Sequence, residues 1–275
     1  MNMVNVREDW ENRMEPEILY EDENIVAINK PVGLVVHGDG PNHTKSAAGR
    51  TSQNEVLGET KEKTLADWLL QKYPKIKNVG ENALRPGIVH RLDKETSGVM
   101  LVAKTQKAFE ILKKQFQNRE IEKIYHAFVF GEMSAGLKGT SRLGGKKDEG
   151  TIDRPIGRSS KDFRMWSAQR GARGLMREAV TDYRVISRKD GYSFVEVRPK
   201  TGRTHQIRVH FKAINYPLVA DSLYAPSREN SLGFKRLALH SQQITFKDVK
   251  GVSQTVTAPY PEDFAQAVNS LQSIK

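Results

Sequence analysis

The chain has 275 residues, 37% of them hydrophobic, enough to bury one substantial core in one or two domains. With 44 Lys and Arg against 33 Asp and Glu it carries a formal charge of +11, which points to a polyanionic partner such as nucleic acid or an anionic membrane surface. There is no cysteine, which excludes disulfides, thiolate metal sites and cysteine nucleophiles; with no signal-peptide core at the charged start and no apolar run near a membrane span, a soluble cytoplasmic protein is expected.

Residues 1–16 read as a polar lead-in. NIVAINKPVGLVVH, Asn24 to His37, then predicts two short strands about the turn Lys30-Pro31-Val32-Gly33. Residues 38–63 hold scarcely any large apolar side chain and predict an exposed loop. TLADWLLQKY predicts a helix: Thr64 caps it, Asp67 completes a capping box, Leu65, Trp68 and Leu69 face inward, and Pro74 stops it. Next comes HRLDKETSG, His90 to Gly98, which crowds a histidine, an arginine, an aspartate and a serine together before the apolar VMLVA. It is either an active-site loop feeding a buried strand or a charged surface turn.

A second helix is predicted from about Gln106 to Asn118, with Ala108, Phe109, Leu112 and Phe116 at helical spacing. EKIYHAFVFG alternates, setting Ile124, His126, Phe128 and Phe130 on one face and Tyr125, Ala127 and Val129 on the other. TDYRVIS, YSFVEVRP and RLALHSQQITF read as further strands. Strands outnumber helices without strict alternation, so a mixed sheet flanked by a few helices, an α+β fold, fits better than a doubly wound one. In RPKTGRTHQIRVHFKAIN, Arg198 to Asn215, a strand ends, KTGR turns, and Thr204 caps a short helix buried through Ile207, Phe211 and Ile214. Asn215 closes it in a left-handed conformation. Arg208 lies about 100° round from Ile207, beside the apolar stripe, and can reach a neighbouring carboxylate; the bland alternative is a surface ion pair of little worth.

Residues 138–177 hold 11 Lys or Arg against 4 Asp or Glu, with Phe163 and Trp166 among them. Two readings stand side by side: a nucleic-acid clamp, with Arg164, Trp166 and Arg203 as RNA contacts, or a solvated hairpin with core aromatics. Other chemistries fail on spacing. HRLD lacks the asparagine of a kinase catalytic loop, GTSRLGGKK is not a phosphate-binding loop, and His205 and His210 stand five apart with no HExxH, so no metal or cofactor is expected. Asp93 and Glu95 are too close in sequence to straddle a glycosidic bond and read better as turn charges.

Taken together, HRLDKETSG with its following VMLVAK, EKIYHAFVFG, KTGRTHQIRVH with the later YPLVADSLY, and RLALHS resemble, in order, the RluA-type family of RNA pseudouridine synthases over residues 18–264. The resemblance implies that family's mixed, mainly antiparallel sheet flanked by helices and loops. It implies an isomerase of structured ribosomal or transfer RNA that detaches a uracil from ribose, turns it, and rejoins it through a ring carbon. Asp93 would be the essential carboxylate, either as nucleophile on the anomeric carbon or as a base toward a ribose proton. Arg208 matches the family's salt-bridging basic residue and Tyr125 its active-site tyrosine. At the substrate, Arg91 would fill the gap left by the extruded nucleotide, Ile207 would lie beneath the base, and His90, with Thr96 and Ser97, would shape the loop. Asn215 and Ala220 stand where the family often has glycine. The expected organisation is a catalytic domain over residues 17–275, monomeric and without a separate N-terminal RNA-binding module, with a polar insertion at 38–63 and a basic one at 138–177. The rival is a non-catalytic basic RNA-binding or RNA-folding protein of the same fold.

Overall fold

A computed structural model of the protein describes residues 15–38, 63–134, 148–169 and 172–272. In chain order, β1 (Glu17–Glu21) and β2 (Ile25–Lys30) are followed by α1 (Leu65–Lys72), a short 3-10 helix (Pro74–Asn78), β3 (Ser97–Ala103), α2 (Gln106–Gln117) and β4 (Glu122–Phe130). Then come β5 (Glu149–Asp153), β6 (Ile156–Arg158), β7 (Trp166–Ser167), β8 (Arg173–Arg177), β9 (Val180–Lys189), β10 (Tyr192–Pro199), α3 (Gln206–Ala213), β11 (Leu239–Lys247), β12 (Ser253–Thr257) and α4 (Glu262–Gln272).

The main sheet runs β1-β2-β3-β11-β4-β10-β9-β5, with β12 also on β11. Its pairings are antiparallel except that of β11 with β3, where His240 meets Ser97 and Ser241 meets Gly98. Ser241 is also opposite Tyr125 of β4, so Gly98, Ser241 and Tyr125 form one row across three strands. Gly98 has φ 109, and a Cβ there would stand 2.2 Å from the Ser241 carbonyl oxygen; only glycine lets β3 and β11 approach here.

The alternation in β4 divides the interior. Tyr125, Ala127 and Val129 join a large apolar cluster with β2, β3, α1, α2 and α3, whereas Phe128 and Phe130 join Phe194, Phe234 and Phe264 on the other side, under α4. β3 is buried along its whole length, as its continuous apolar run requires of a strand covered on both faces. α1 has the capping box expected from Thr64 and Asp67, and Asn215 and Ala220 both take positive φ, at 68 and 54.

Several local expectations are corrected. Leu34 to His37 is not a strand, because only Val35 bridges, to Thr64. A strand at Glu17–Glu21 that the polar lead-in obscured pairs with β2. Thr204 does not cap α3; His205 is the cap residue, with φ 55 and no side-chain cap bond, and the turn is held by Gln206, whose Oε1 accepts from Thr201 Oγ1 at 2.7 Å and the Arg203 N–H at 3.0 Å. Of the polar insertion, 39–62 lie outside the described residues. The described part of the basic insertion supplies β5 to the main sheet and a separate three-stranded sheet, β7-β6-β8.

Four histidines are locked in as neutral rings. The His90 Nε2 accepts the Leu101 N–H at 2.9 Å, and His210 bonds the Thr181 hydroxyl and the Arg154 carbonyl, each at 2.9 Å. Burial pushes His90 down to about 3 and His126, His210 and His240 down to about 4. Each binds a proton more readily in the unfolded chain, so their contribution to stability is complete above about pH 6.5 and is lost as pH falls toward 4. Urea denaturation at pH 7, 6, 5 and 4.5 should show stability falling steadily through this range, before most carboxylates titrate; a flat profile would contradict the buried neutral assignment.

Candidate active site

The loop HRLDKETSG closes over the end of β3 as a turn in which Thr96 N–H donates to the Asp93 carbonyl at 3.1 Å. Its polar side chains are mostly used internally. His90 stacks on Phe116, ring centroids 4.6 Å apart, and Ser97 Oγ bonds His240 Nδ1 at 2.9 Å and accepts from Arg236 at 3.1 Å. Beneath the turn lies Lys30, fully buried, whose Nζ donates to the carbonyls of Pro31, Leu34 and Lys94 at 2.8, 2.9 and 3.2 Å. Burial lowers its pKa to about 7 against the opposing pull of Asp93. Directed outward are Arg91 and Lys94, both exposed, and Asp93, whose side chain is 20% exposed; of these Arg91 and Asp93 line a cavity.

Asp93 meets α3 through Arg208. Arg208 Nη1 donates to Asp93 Oδ2 at 3.3 Å, while its Nε and Nη2 donate to Asp221 Oδ2 and Oδ1 at 2.8 and 2.7 Å. Asp221 is wholly buried and Arg208 nearly so. Asp221 is held in turn, its Oδ1 accepting the N–H groups of Leu223 and Tyr224 at 3.0 Å each. Burial disfavours the guanidinium charge, but the bonds to Asp221 and the charges of Asp221 and Asp93 outweigh it and raise the Arg208 pKa. The expectation that Arg208 reaches a carboxylate is met twice, and its surface-pair alternative is excluded by burial.

Around this pair opens a cavity of about 480 Å³. It brings together Asp93, Tyr125 and Arg208 with His90, Arg91, Ile207 and Arg203, and adds Arg119, Lys123, Lys200 and His205. Six Lys or Arg side chains and a single carboxylate, Asp93, line it among the described residues. Tyr125 is buried at its floor; burial raises its pKa to about 12, hydrogen bonding with Ser241 opposes this and Asp93 adds to it, so the phenol keeps its proton. Lys123, two residues back on the same strand face, is lowered by burial to about 8, and its Nζ stands 6.0 Å from the Phe116 ring centre.

Arg164 and Trp166 lie outside the cavity lining. Arg164 is exposed and forks onto Asp162 at 2.7 to 3.2 Å. The Trp166 ring is partly buried and covered by the Arg158 guanidinium at 4.3 Å, whereas Phe163 is the exposed aromatic of the small sheet, at 73%. Sequence reasoning missed Asp221, Lys30, Lys123, His205 and Tyr224. Asp221 does leave a trace in YPLVADSLY, where a lone carboxylate follows an apolar run, but nothing local names its partner.

A carboxylate aimed by a buried guanidinium, beside a buried tyrosine and in a cavity lined mainly by cations, has the shape and charge to receive a nucleotide base carried on a polyanion. The RNA pseudouridylate synthase family model matches residues 24–213, and the chain belongs to that family. It is an RNA pseudouridine synthase, an isomerase. The uncharacterized RNA pseudouridine synthase YlyB of Bacillus subtilis is 35% identical over 260 residues, which are 94% of this chain and 74% of that one. The ribosomal large subunit pseudouridine synthase D of Pseudomonas aeruginosa is 37% identical over 271 residues, 94% of this chain and 72% of that one. The fold is also that of human RNA pseudouridylate synthase domain containing 4, with a TM-score of 0.64, 24% identity and 93% of both chains covered. No helix among the described residues is long and apolar enough to cross a membrane.

Removing Asp221 should leave a buried guanidinium half-compensated. Asp221→Ala is expected to cost about 3–5 kcal/mol in denaturant unfolding, and a loss below about 1 kcal/mol would show that the pair contributes little to the fold.

Proposed function

We propose that the chain isomerises specific uridines of large-subunit ribosomal RNA to pseudouridine with Asp93 as the essential carboxylate. The observation that carries this is the unequal division of Arg208. Two of its nitrogens are committed to buried Asp221, so the third presents a fixed charge to Asp93 at 3.3 Å and sets the direction of that carboxylate. The ribosomal target is favoured over transfer RNA because relatives such as the Pseudomonas aeruginosa protein are ribosomal large subunit enzymes by name.

In this reading the flipped uridine enters the cavity with its ring over Tyr125 and Ile207, and Arg91 moves toward the space it leaves in the RNA. Asp93 faces the ribose and acts on the anomeric carbon or on a ribose proton; both routes need it ionised beside Arg208. The protonated phenol of Tyr125 serves as a donor rather than a base. Lys123, Arg119, Lys200 and Arg203 meet phosphates round the rim. The catalytic domain occupies residues 17–275 and acts as a monomer, and the small sheet β7-β6-β8 extends the basic surface through Arg164, Arg173, Arg177 and the exposed Phe163.

Asp93→Asn should lower kcat for pseudouridine formation by about three orders of magnitude or more while leaving RNA affinity nearly intact, since phosphate contacts dominate binding. Arg208→Lys keeps a charge but loses the fork that spans two carboxylates and should reduce kcat more than about tenfold. Full activity in Asp93→Asn would sink the mechanism, and its retention of RNA binding without any wild-type activity would favour the non-catalytic rival.

The small sheet is tested by salt titration. Replacing Arg164, Arg173 and Arg177 by Ser should flatten the dependence of log Kd on log salt by about 0.7 to 0.9 for each phosphate that is no longer neutralised. Phe163→Ser should cost about 1–3 kcal/mol of RNA binding if a base stacks there. Unchanged affinity and slope in both variants would remove the sheet from the RNA surface.

A further inference from the structure

His205 and Tyr224 have no part in the mechanism above, yet both are held by more than packing. His205 keeps a left-handed backbone at φ 55 at the mouth of α3, a conformation that a side chain other than glycine adopts only when its surroundings enforce it. That backbone turns the imidazole into the cavity, with Nε2 3.9 Å from Asp93 Oδ2 and Nδ1 3.1 Å from the Tyr224 hydroxyl. The Tyr224 hydroxyl also accepts the backbone N–H of Trp166, in β7, at 3.0 Å. Its ring lies under the guanidinium of Arg208, 5.1 Å from ring centre to Cζ, and edge-on to His205 at 5.8 Å.

The donor count assigns the protons. A phenol has one proton to give, and with the Trp166 N–H arriving as a donor, the acceptor at hand for that proton is His205 Nδ1. A neutral imidazole that accepts at Nδ1 carries its own proton on Nε2, the nitrogen turned toward Asp93. We infer that Tyr224 is a positioning residue for the reaction: its hydroxyl holds His205 in the Nε2–H tautomer facing Asp93, and its bond to Trp166 ties that setting to the seating of the basic small sheet. This rests on the proposed role of Asp93. It gives the small sheet a second task, since a shift of β7 on RNA binding would be felt at the imidazole beside the carboxylate.

The groups that face His205 agree with a neutral ring. Burial lowers its pKa; Asp93, from the loop before β3, and Asp221, from the segment after α3, pull it up, while Arg208 of α3 and Arg91 of the loop push it down, and the net shift is downward. Burial raises Tyr224 to about 12 against the opposing influence of the Trp166 N–H and Arg208, so the phenol retains the proton it donates.

Tyr224→Phe keeps the ring under Arg208 and removes only the hydroxyl. Its kcat should fall about five- to tenfold, the weight of one neutral hydrogen bond, with RNA Kd changed less than about twofold. Because Nδ1 is then free to take a proton, the acidic limb of the kcat profile should move to higher pH. His205→Gln keeps a donor near the Nε2 position and cannot titrate, so adding Tyr224→Phe to it should move the limb no further. The tautomer is read independently in the wild-type protein by 15N NMR of the histidine rings, with His205→Gln to assign the signal, and a proton on Nε2 is expected. Wild-type kcat and pH profile in a folded Tyr224→Phe, or a proton on Nδ1, would overturn the inference; if the variant does not fold, the NMR result decides alone. Asp93→Asn in the same assay separates the two levels. Activity there overturns the reading of the site, whereas an inactive Asp93→Asn beside an unaffected Tyr224→Phe overturns only the role given to Tyr224.

Discussion

Arg208 is the constraint on which the site depends. Its planar fork gives two parallel bonds to Asp221, and because Asp221 is wholly buried and fixed by two backbone N–H groups, the guanidinium cannot turn without stranding a charge in the interior. The remaining nitrogen therefore occupies a set point in space, and Asp93, the one partner with access to the cavity, is oriented against it. A lysine could neutralise one carboxylate but could not span both, because it is a point charge on a flexible stem. The cost of burying Arg208 and Asp221 is offset by this geometry, and the partly exposed Asp93 completes the ion triad at the cavity wall.

The rest of the structure brings the two halves of that triad together. β11 inserts between β3 and β4, and its parallel pairing with β3, at Ser97–Gly98 with His240–Ser241, places the loop carrying Asp93 beside the row that ends in Tyr125. Gly98 permits the approach, Lys30 ties the Lys94 carbonyl of the turn to the Pro31 and Leu34 carbonyls of the segment after β2, and Ser97 is bound by His240 and Arg236. Arg236 forks onto Asp263 of α4 at 2.7 Å, which links the far helix to the same loop. The polar residues of HRLDKETSG are thus divided: most fasten the loop, and Arg91 and Asp93 face the cavity.

Much of this was legible in residue order. The capping box at Thr64 and Asp67, the 3.6-residue spacing of Ala108, Phe109, Leu112 and Phe116, and the two faces of β4 follow from contacts between near neighbours, and the structure contains all three. Where local signals competed, reading failed. Thr204 looks like a cap, but the side chain of Gln206 holds the turn instead and leaves His205 in the left-handed region. LVVH looks like a strand, but it finds only one bridge because its neighbours in space are α1 and the loop at Lys94. Trp166 looks available for stacking until Arg158 is seen to cover it.

The sequence by itself determined which elements form and which kinds of side chain are at hand: a carboxylate in a tight loop before a buried strand, a tyrosine on one face of another, and an arginine beside the apolar stripe of a short helix. These depend on capping, alternation and periodicity, which act over a few residues. Only the tertiary structure decided how charge is shared, because the two carboxylates on Arg208 lie 13 and 115 residues away along the chain. It likewise decided that His205 and Tyr224 stand beside Asp93, and that part of the basic segment forms a separate sheet packed on Tyr224, with the Trp166 N–H bonded to its hydroxyl. Such pairings follow from strand order and burial, which no short window of residues contains.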